Sequence, residues 1–269
     1  MIASLGPTAL VRISGREAIA FAHAQFTSDV LALAEGTWHW SAWLDAQGRA
    51  RAVFMLLRVG VDELLAWQPL GETATLAASL ARFVLRAAVR IEAIDATAEA
   101  IDAPADACAA RHLVHGTAGW ALALADGRGV RLVPGDPSPP DGAALADWRL
   151  RDVEARLPLL PAVMGGECTP QALGLESIDA IRFDKGCYPG QEIAARLHFG
   201  GGNKRHLHQA TVQGSMAVDS GDELLDQAGA VAGRVLYPAG STRRRALVVL
   251  ADGSEHALTT AIGTTLLID

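Results

Sequence analysis

The chain predicts an α+β fold that closes with a small β-barrel. Three observations lead there: a β-favouring run followed by helically spaced apolar residues at the amino end, a hairpin pattern around residues 37–57, and a change of texture after Gly201. With 50% hydrophobic and 20% charged residues, the 269-residue chain can bury a sizeable core as one large domain or several small lobes.

Ala9 to Ile13 reads as the first strand, and Ser14 to Asp29 as a helix with Ala18, Ile19, Ala22 and Phe26 on one face and Ser14 as its cap. Thr37 to Leu57 forms a hairpin, because β-favouring residues flank Asp45-Ala46-Gln47-Gly48, a sequence suited to a tight turn. The spacing of Leu76, Leu80, Phe83, Val84 and Ala87 predicts a helix from about Glu72 to Arg90. Arg82, Arg86 and Arg90 make a second stripe on it, read first as a solvated face and second as a phosphate contact. Asp126 to Asp147 is rich in Gly, Pro and Asp, which argues against a packed helix or central strand and for a surface connection. After Gly201, Val231 to Tyr237 and Ala246 to Leu250 are strand-like runs between Gly and Asp turns, as in a small β-barrel. The expected division is therefore an α+β region over 1–200, with a connection near 126–147, and a barrel over 201–269.

The 23 basic and 30 acidic side chains leave a net charge of -7, so general attraction to nucleic acid or an anionic membrane is not expected and any anion site is a local patch. Three cysteines without regular spacing are poor material for a disulfide framework and suit a reducing compartment. Met1 to Pro7 has no basic segment followed by an apolar one, and no apolar run is long enough to span a bilayer. A cytoplasmic location is the expectation.

The chemistry concentrates in Asp184-Lys185-Gly186-Cys187-Tyr188-Pro189-Gly190-Gln191-Glu192. If this piece is extended, Lys185 and Cys187 point to one side, where an ammonium favours thiolate over thiol. Gly186 and Gly190 allow backbone to approach a ligand closely. The alternative is that Cys187 is a small buried core residue, the commonest state of a free cysteine. Cys108 and Cys168 are read as structural.

The run Lys185-Gly186-Cys187-Tyr188-x-Gly190-Gln191-Glu192 resembles the signature of the YgfZ family at every defined position. Its flanks, Thr169-Pro170-Gln171, Ala195-Arg196 and Asn203-Lys204-Arg205, agree, as do Gln25-Phe26-Thr27-Ser28-Asp29-Val30 and the hairpin Leu44-Asp45-Ala46-Gln47-Gly48-Arg49. The resemblance spans essentially the whole chain. It implies a trilobed α+β ring like that of the glycine-cleavage T-protein, with tetrahydrofolate or another folate bound near a central channel. It further implies an accessory role for iron-sulfur enzymes or their assembly factors, including enzymes that thiolate tRNA, and favours a monomer. Under this likeness Cys187 and Lys185 are the reactive pair, and Glu154, Tyr188, Gly190, Gln191, Glu192 and Arg196 are candidates to bind folate.

Glu154 falls on the glutamate that T-proteins use in a similar run, here Val153-Glu154-Ala155-Arg156, and a carboxylate can accept the paired pterin N–H groups. The alternative is an ordinary surface glutamate. Arg156 stands where that pattern has glycine, so either the backbone differs or the arginine reaches the folate tail. Trp38 and Trp40 share one strand face and Trp43 the other, so only part of this set can face a ligand. T-proteins carry aspartates after the hairpin turn that assist aminomethyl transfer, whereas Gly48 is followed here by Arg49-Ala50-Arg51-Ala52-Val53. Folate binding without aminomethyl transfer fits that absence. Two other readings stay open: a tetrahydrofolate-dependent aminomethyltransferase or demethylase, and a tRNA-binding module using Arg243-Arg244-Arg245 with a weak tRNA contact. His198, His206 and His208 invite a metal site with Cys187, but no paired-cysteine motif accompanies them and none is expected.

Overall fold

The computed structural model describes residues 2–103, 111–116, 118–254 and 256–269, so Cys108 lies outside the described residues. In chain order the elements are β1 (Ala3–Ser14), α1 (Ala18–Gln25), β2 (Thr37–Leu44), β3 (Ala50–Gly60), β4 (Glu63–Trp67), α2 (Thr73–Ala81), β5 (Arg90–Asp102), β6 (Leu113–Gly116), β7 (Gly119–Ala123) and β8 (Arg128–Pro134). There follow α3 (Gly142–Glu154), α4 (Gln191–Gly200), β9 (Arg205–Val212), β10 (Glu223–Leu225), β11 (Val231–Ala239), β12 (Arg245–Ala251), β13 (Ala257–Thr260) and β14 (Thr265–Ile268).

The first eight strands form one sheet in the order β2-β3-β4-β1-β5-β8-β7-β6, and its pairs are antiparallel. The sheet curls until its two ends touch. Thr37 bridges His112, Trp38 N–H donates to the Arg111 carbonyl at 2.9 Å, and Leu113 N–H to that of Gly36 at 2.8 Å. Closure of this kind satisfies edge groups that would otherwise be open to other strands.

Strand alternation gives the sheet two faces and therefore two cores. Trp38, Trp40, Val53, Met55, Leu57 and Leu65 lie in one, with α3 and the segment that follows it; Ala52, Phe54, Leu56, Leu64 and Ala66 lie in the other, beneath α1 and α2. The last six strands close a barrel in the order β10-β11-β12-β9-β14-β13 with its own interior of Val235, Val248, Leu258 and Leu266. The outer face of that barrel belongs to the first core, since Leu236, Tyr237, Leu247 and Val249 join it and Tyr237 Oη donates to the Leu157 carbonyl at 2.7 Å. The α+β class, the hairpin around Asp45–Gly48 and the barrel agree with the sequence.

Three local expectations are corrected. Ser14 does not cap the first helix: it still pairs with Glu63 and Arg90 in the sheet, and α1 begins only at Ala18 after Glu17. The helix expected to reach Arg90 stops at Ala81. Arg90 is taken into β5 by its pairing with Ser14 and forms an ion pair with Glu92, so Arg82, Arg86 and Arg90 share no helix face. The stretch 126–147 is not all connection, because Arg128–Pro134 becomes β8 between β5 and β7, with Val130 and Leu132 fully buried. Its proline sits at the strand end, where the missing donor is tolerated. The exposed connection is the shorter piece 135–141.

Candidate functional site

A cavity of about 490 Å³ opens where the curled sheet nearly closes. Trp38 and Trp40 of β2 form one wall, Leu124 and Asp126 after β7 another, and Arg111, Leu157 and Ile178 the rim and floor. The two indoles meet edge to face at 6.2 Å, and the Arg111 guanidinium lies 5.7 Å from the Trp38 ring. Such a space falls in the usual range for small-molecule sites, mostly apolar with a few placed charges. Arg111 is half-exposed and faces Asp179 at 3.8 Å; both have left-handed backbones, with φ of 53° and 56°.

Asp126 is fixed from behind. Arg128 Nε donates to it at 2.6 Å, while Arg128 Nη1 reaches the buried Asp152 at 2.9 Å and its guanidinium stacks on Trp148 at 4.3 Å. Asp152 also holds Arg149 at 3.1 Å, so a buried charge network ties the cavity wall to α3. Sequence reasoning missed Asp126 and Arg111. The first lay hidden in the Gly, Pro and Asp run, and nothing in the pattern around Arg111 marks its place opposite Trp38.

Trp43 faces away from the cavity, edge to face with Phe83 at 6.1 Å, as strand alternation requires. Glu154 ends α3 in an exposed position and pairs with Arg243 at 3.1 Å; its neighbour Ala155, not Glu154 itself, borders the cavity. Arg156 has φ of 52°, the left-handed conformation that glycine adopts most readily, and the helix ends on it. Arg156 N–H donates to Val153 at 2.9 Å and Leu157 N–H to Asp152 at 3.0 Å, the paired bonds that usually stop a helix at glycine.

The signature segment lies elsewhere. Residues 181–190 are bends and turns, not a strand, so Lys185 and Cys187 have no shared strand face. Cys187 is exposed and not buried in the core, and it does not line the cavity. The ammonium of Lys185 spends its three donors on the carbonyls of His23, Phe26 and Ser28, at 2.5, 2.6 and 2.8 Å, and sits 5.1 Å from the Tyr188 ring. Burial pulls Lys185 down to about 8, with Asp29 opposing. In this arrangement the lysine clamps the Cys187 turn to the end of α1.

Tyr188 is buried and donates to the Arg182 carbonyl at 3.0 Å. Gly190 has φ of 75° and a Cβ there would lie 2.7 Å from Gly48 Cα, so it packs the segment against the hairpin turn. Gln191 and Glu192 open α4, where a carboxylate suits the helix start, and Arg196 is exposed farther along it. None of these residues lines the cavity. Arg49 Nη1 donates to the Glu167 carbonyl at 2.7 Å and Arg51 Nη1 to that of Gly165 at 3.3 Å, bracing the hairpin.

Behind Lys185 is a polar cluster that the sequence did not disclose. Ser28 Oγ lies 2.9 Å from His39 Nε2 and 2.7 Å from Ser41 Oγ, and His23 Nδ1 is 3.4 Å from Asp29 Oδ1. Burial pushes His39 down to about 4, helped by Arg111 and Lys185 and opposed by Asp29. Cys168 is buried and its thiol is pushed up to about 11 by burial. His198 pairs with Glu176 and His206 with Asp252, on different elements. Two arginines of the run are engaged inside the barrel lobe, Arg244 donating to the Gly214 and Met216 carbonyls and Arg245 to Asp269, while Arg243 reaches out to Glu154. Among the described residues no helix is long and apolar enough to cross a membrane.

No protein-family model matches the chain. An uncharacterized protein of Haemophilus influenzae is 28% identical over 222 residues, covering 82% of this chain and 77% of that one. Among solved structures, the glycine cleavage system aminomethyltransferase T from Bartonella henselae matches with a TM-score of 0.65 over 99% of this chain and 84% of that chain, at 16% identity. The chain therefore has a T-protein-like fold of sheet lobes and a closed barrel, as the resemblance implied.

Proposed function

We propose that this chain is a folate-binding accessory protein of the YgfZ kind, acting in the cytoplasm to support assembly or repair of iron-sulfur enzymes, tRNA-modifying ones among them, with Cys187 as its reactive group. The carrying observation is the cavity walled by Trp38 and Trp40 in a chain with the fold of a glycine-cleavage aminomethyltransferase. In this reading the indoles stack on the pterin or aminobenzoate ring, Asp126 accepts pterin N–H groups, and Arg111 takes a carboxylate of the glutamate tail. Glu154 is a secondary contact, because its carboxylate already holds Arg243. Tyr188, Gly190, Gln191, Glu192 and Arg196 shape the face around Cys187 that meets a partner. Arginines in place of carboxylates after Gly48 separate binding from aminomethyl transfer, which needs an acid or base there.

Calorimetry with tetrahydrofolate tests the first half. Wild type binds, Trp40→Ala and Arg111→Ala each weaken affinity about tenfold, near 1.4 kcal/mol, and Glu154→Gln loses less. Wild-type protein that takes up no folate overturns the proposal. In a strain lacking the gene, iron-sulfur enzyme activities fall and return with wild type but not with Cys187→Ser; full rescue by that variant removes the thiol from the mechanism.

A further inference from the structure

The lysine beside Cys187 has its three donors occupied, so the proton of the thiol needs another destination. His23 stands closest in kind. Its ring rests against Gly186, the residue before Cys187: a Cβ built on that glycine would lie 3.6 Å from His23 Nε2 and 3.9 Å from Cδ2. The opposite nitrogen, Nδ1, faces Asp29 Oδ1 at 3.4 Å, and the side chain is 16% exposed. Asp29 is itself held, its Oδ1 accepting from Leu31 N–H at 3.1 Å and Ala32 N–H at 3.2 Å.

We infer that His23 is the base for Cys187: Asp29 orients the ring with its proton on Nδ1, and Nε2 accepts the thiol proton directly or through one water. The step deepens the proposed function and rests on its reading of Cys187 as the reactive group. Neighbouring residues place their Cα atoms about 3.8 Å apart, so a ring seated on Gly186 lies one residue along the chain from Cys187. The 3.4 Å separation from Asp29 is long for a formed hydrogen bond and shortens when the ring gains charge, as base–orienter contacts commonly do. The charged groups facing His23 are Lys185 and Asp29; burial and then Lys185 lower its proton affinity, while Asp29 raises it, leaving a neutral ring at pH 7 that is able to accept. Lys185 is then a positioning residue, fixing the Cys187 turn against the chain that carries both His23 and Asp29.

Alkylation of purified protein by iodoacetamide isolates this step from folate and from any client. Sulfur attacks the methylene carbon, iodide leaves, and the thiol proton passes to Nε2. Labelling is followed at Cys187 by peptide mass spectrometry across pH 5 to 9. In wild type the rate rises as His23 loses its proton, on the acid side of neutrality. His23→Gln slows Cys187 about tenfold or more at pH 7 and moves the rise into the alkaline range of an unassisted thiol. A purely structural role lowers the rate without moving the profile, and a His23→Gln profile that keeps the wild-type position overturns the inference. Should that variant fail to fold, Asp29→Asn carries the test: a several-fold loss with a shifted profile supports the base, and a wild-type profile overturns it. The cluster-enzyme assay with Cys187→Ser is independent of these rates, so failure here and failure of the proposed function are separable.

Discussion

Arg156 holds a backbone conformation that strains an arginine and not a glycine. Its φ of 52° serves the stop of α3, and among the described residues no hydrogen bond from its guanidinium compensates for it. A left-handed conformation costs a side-chain-bearing residue about 1–2 kcal/mol, offset in part by the greater chain entropy of an unfolded glycine. Arg156→Gly therefore raises unfolding free energy by about 1 kcal/mol, readable in urea melts; a decrease means the arginine makes a contact that outweighs the strain. His39 makes a second prediction. Held near 4 in the folded state against 6.5 when free, it binds fewer protons folded than unfolded in that interval. Its contribution is present above pH 6.5 and is lost as pH falls towards 4, on the order of 1–3 kcal/mol. Denaturant melts across this range fall in stability for wild type and fall less for His39→Gln.

At the scale of elements, the joint between the signature segment and the sheet decides what the cysteine can do. Lys185 gathers three carbonyls at the end of α1, and Gly190 rests on Gly48 in the turn between β2 and β3. Both devices hold an irregular loop that has no ladder of its own. A Cβ at Gly190 would meet backbone, which cannot yield as a side chain end can, and the positive φ adds strain. Gly190→Ala is expected to cost more than about 2 kcal/mol and to loosen the Cys187 turn, seen as a lower melting temperature and faster hydrogen exchange in 185–190. A melt like that of wild type would show the glycine to be dispensable for packing.

Across the whole molecule, the barrel is not an appendage: Leu236, Tyr237, Leu247 and Val249 complete the core that also holds Trp38 and Trp40. Calorimetry should show one transition, and Tyr237→Phe should lower stability by about 1 kcal/mol by removing one of the two donors to the Leu157 carbonyl, Leu159 N–H being the other. A barrel that melts separately would contradict the shared core. The same long-range contacts mark the limit of what was legible in the residues. Alternation and turn chemistry revealed the hairpin at Asp45–Gly48, the opposed faces of Trp38 and Trp43, and the barrel strands, because those signals act between near neighbours. Helical spacing ran past Ala81 because propensity does not know that Arg90 will pair with Ser14, and a turn-rich composition hid β8 because its two neighbours supply the ladder. Which carboxylate reaches the cavity, what Lys185 touches and which imidazole lies beside Gly186 were settled only when residues far apart in the chain met, Lys185 and His23 being 162 positions apart, and no local pattern encodes such a meeting.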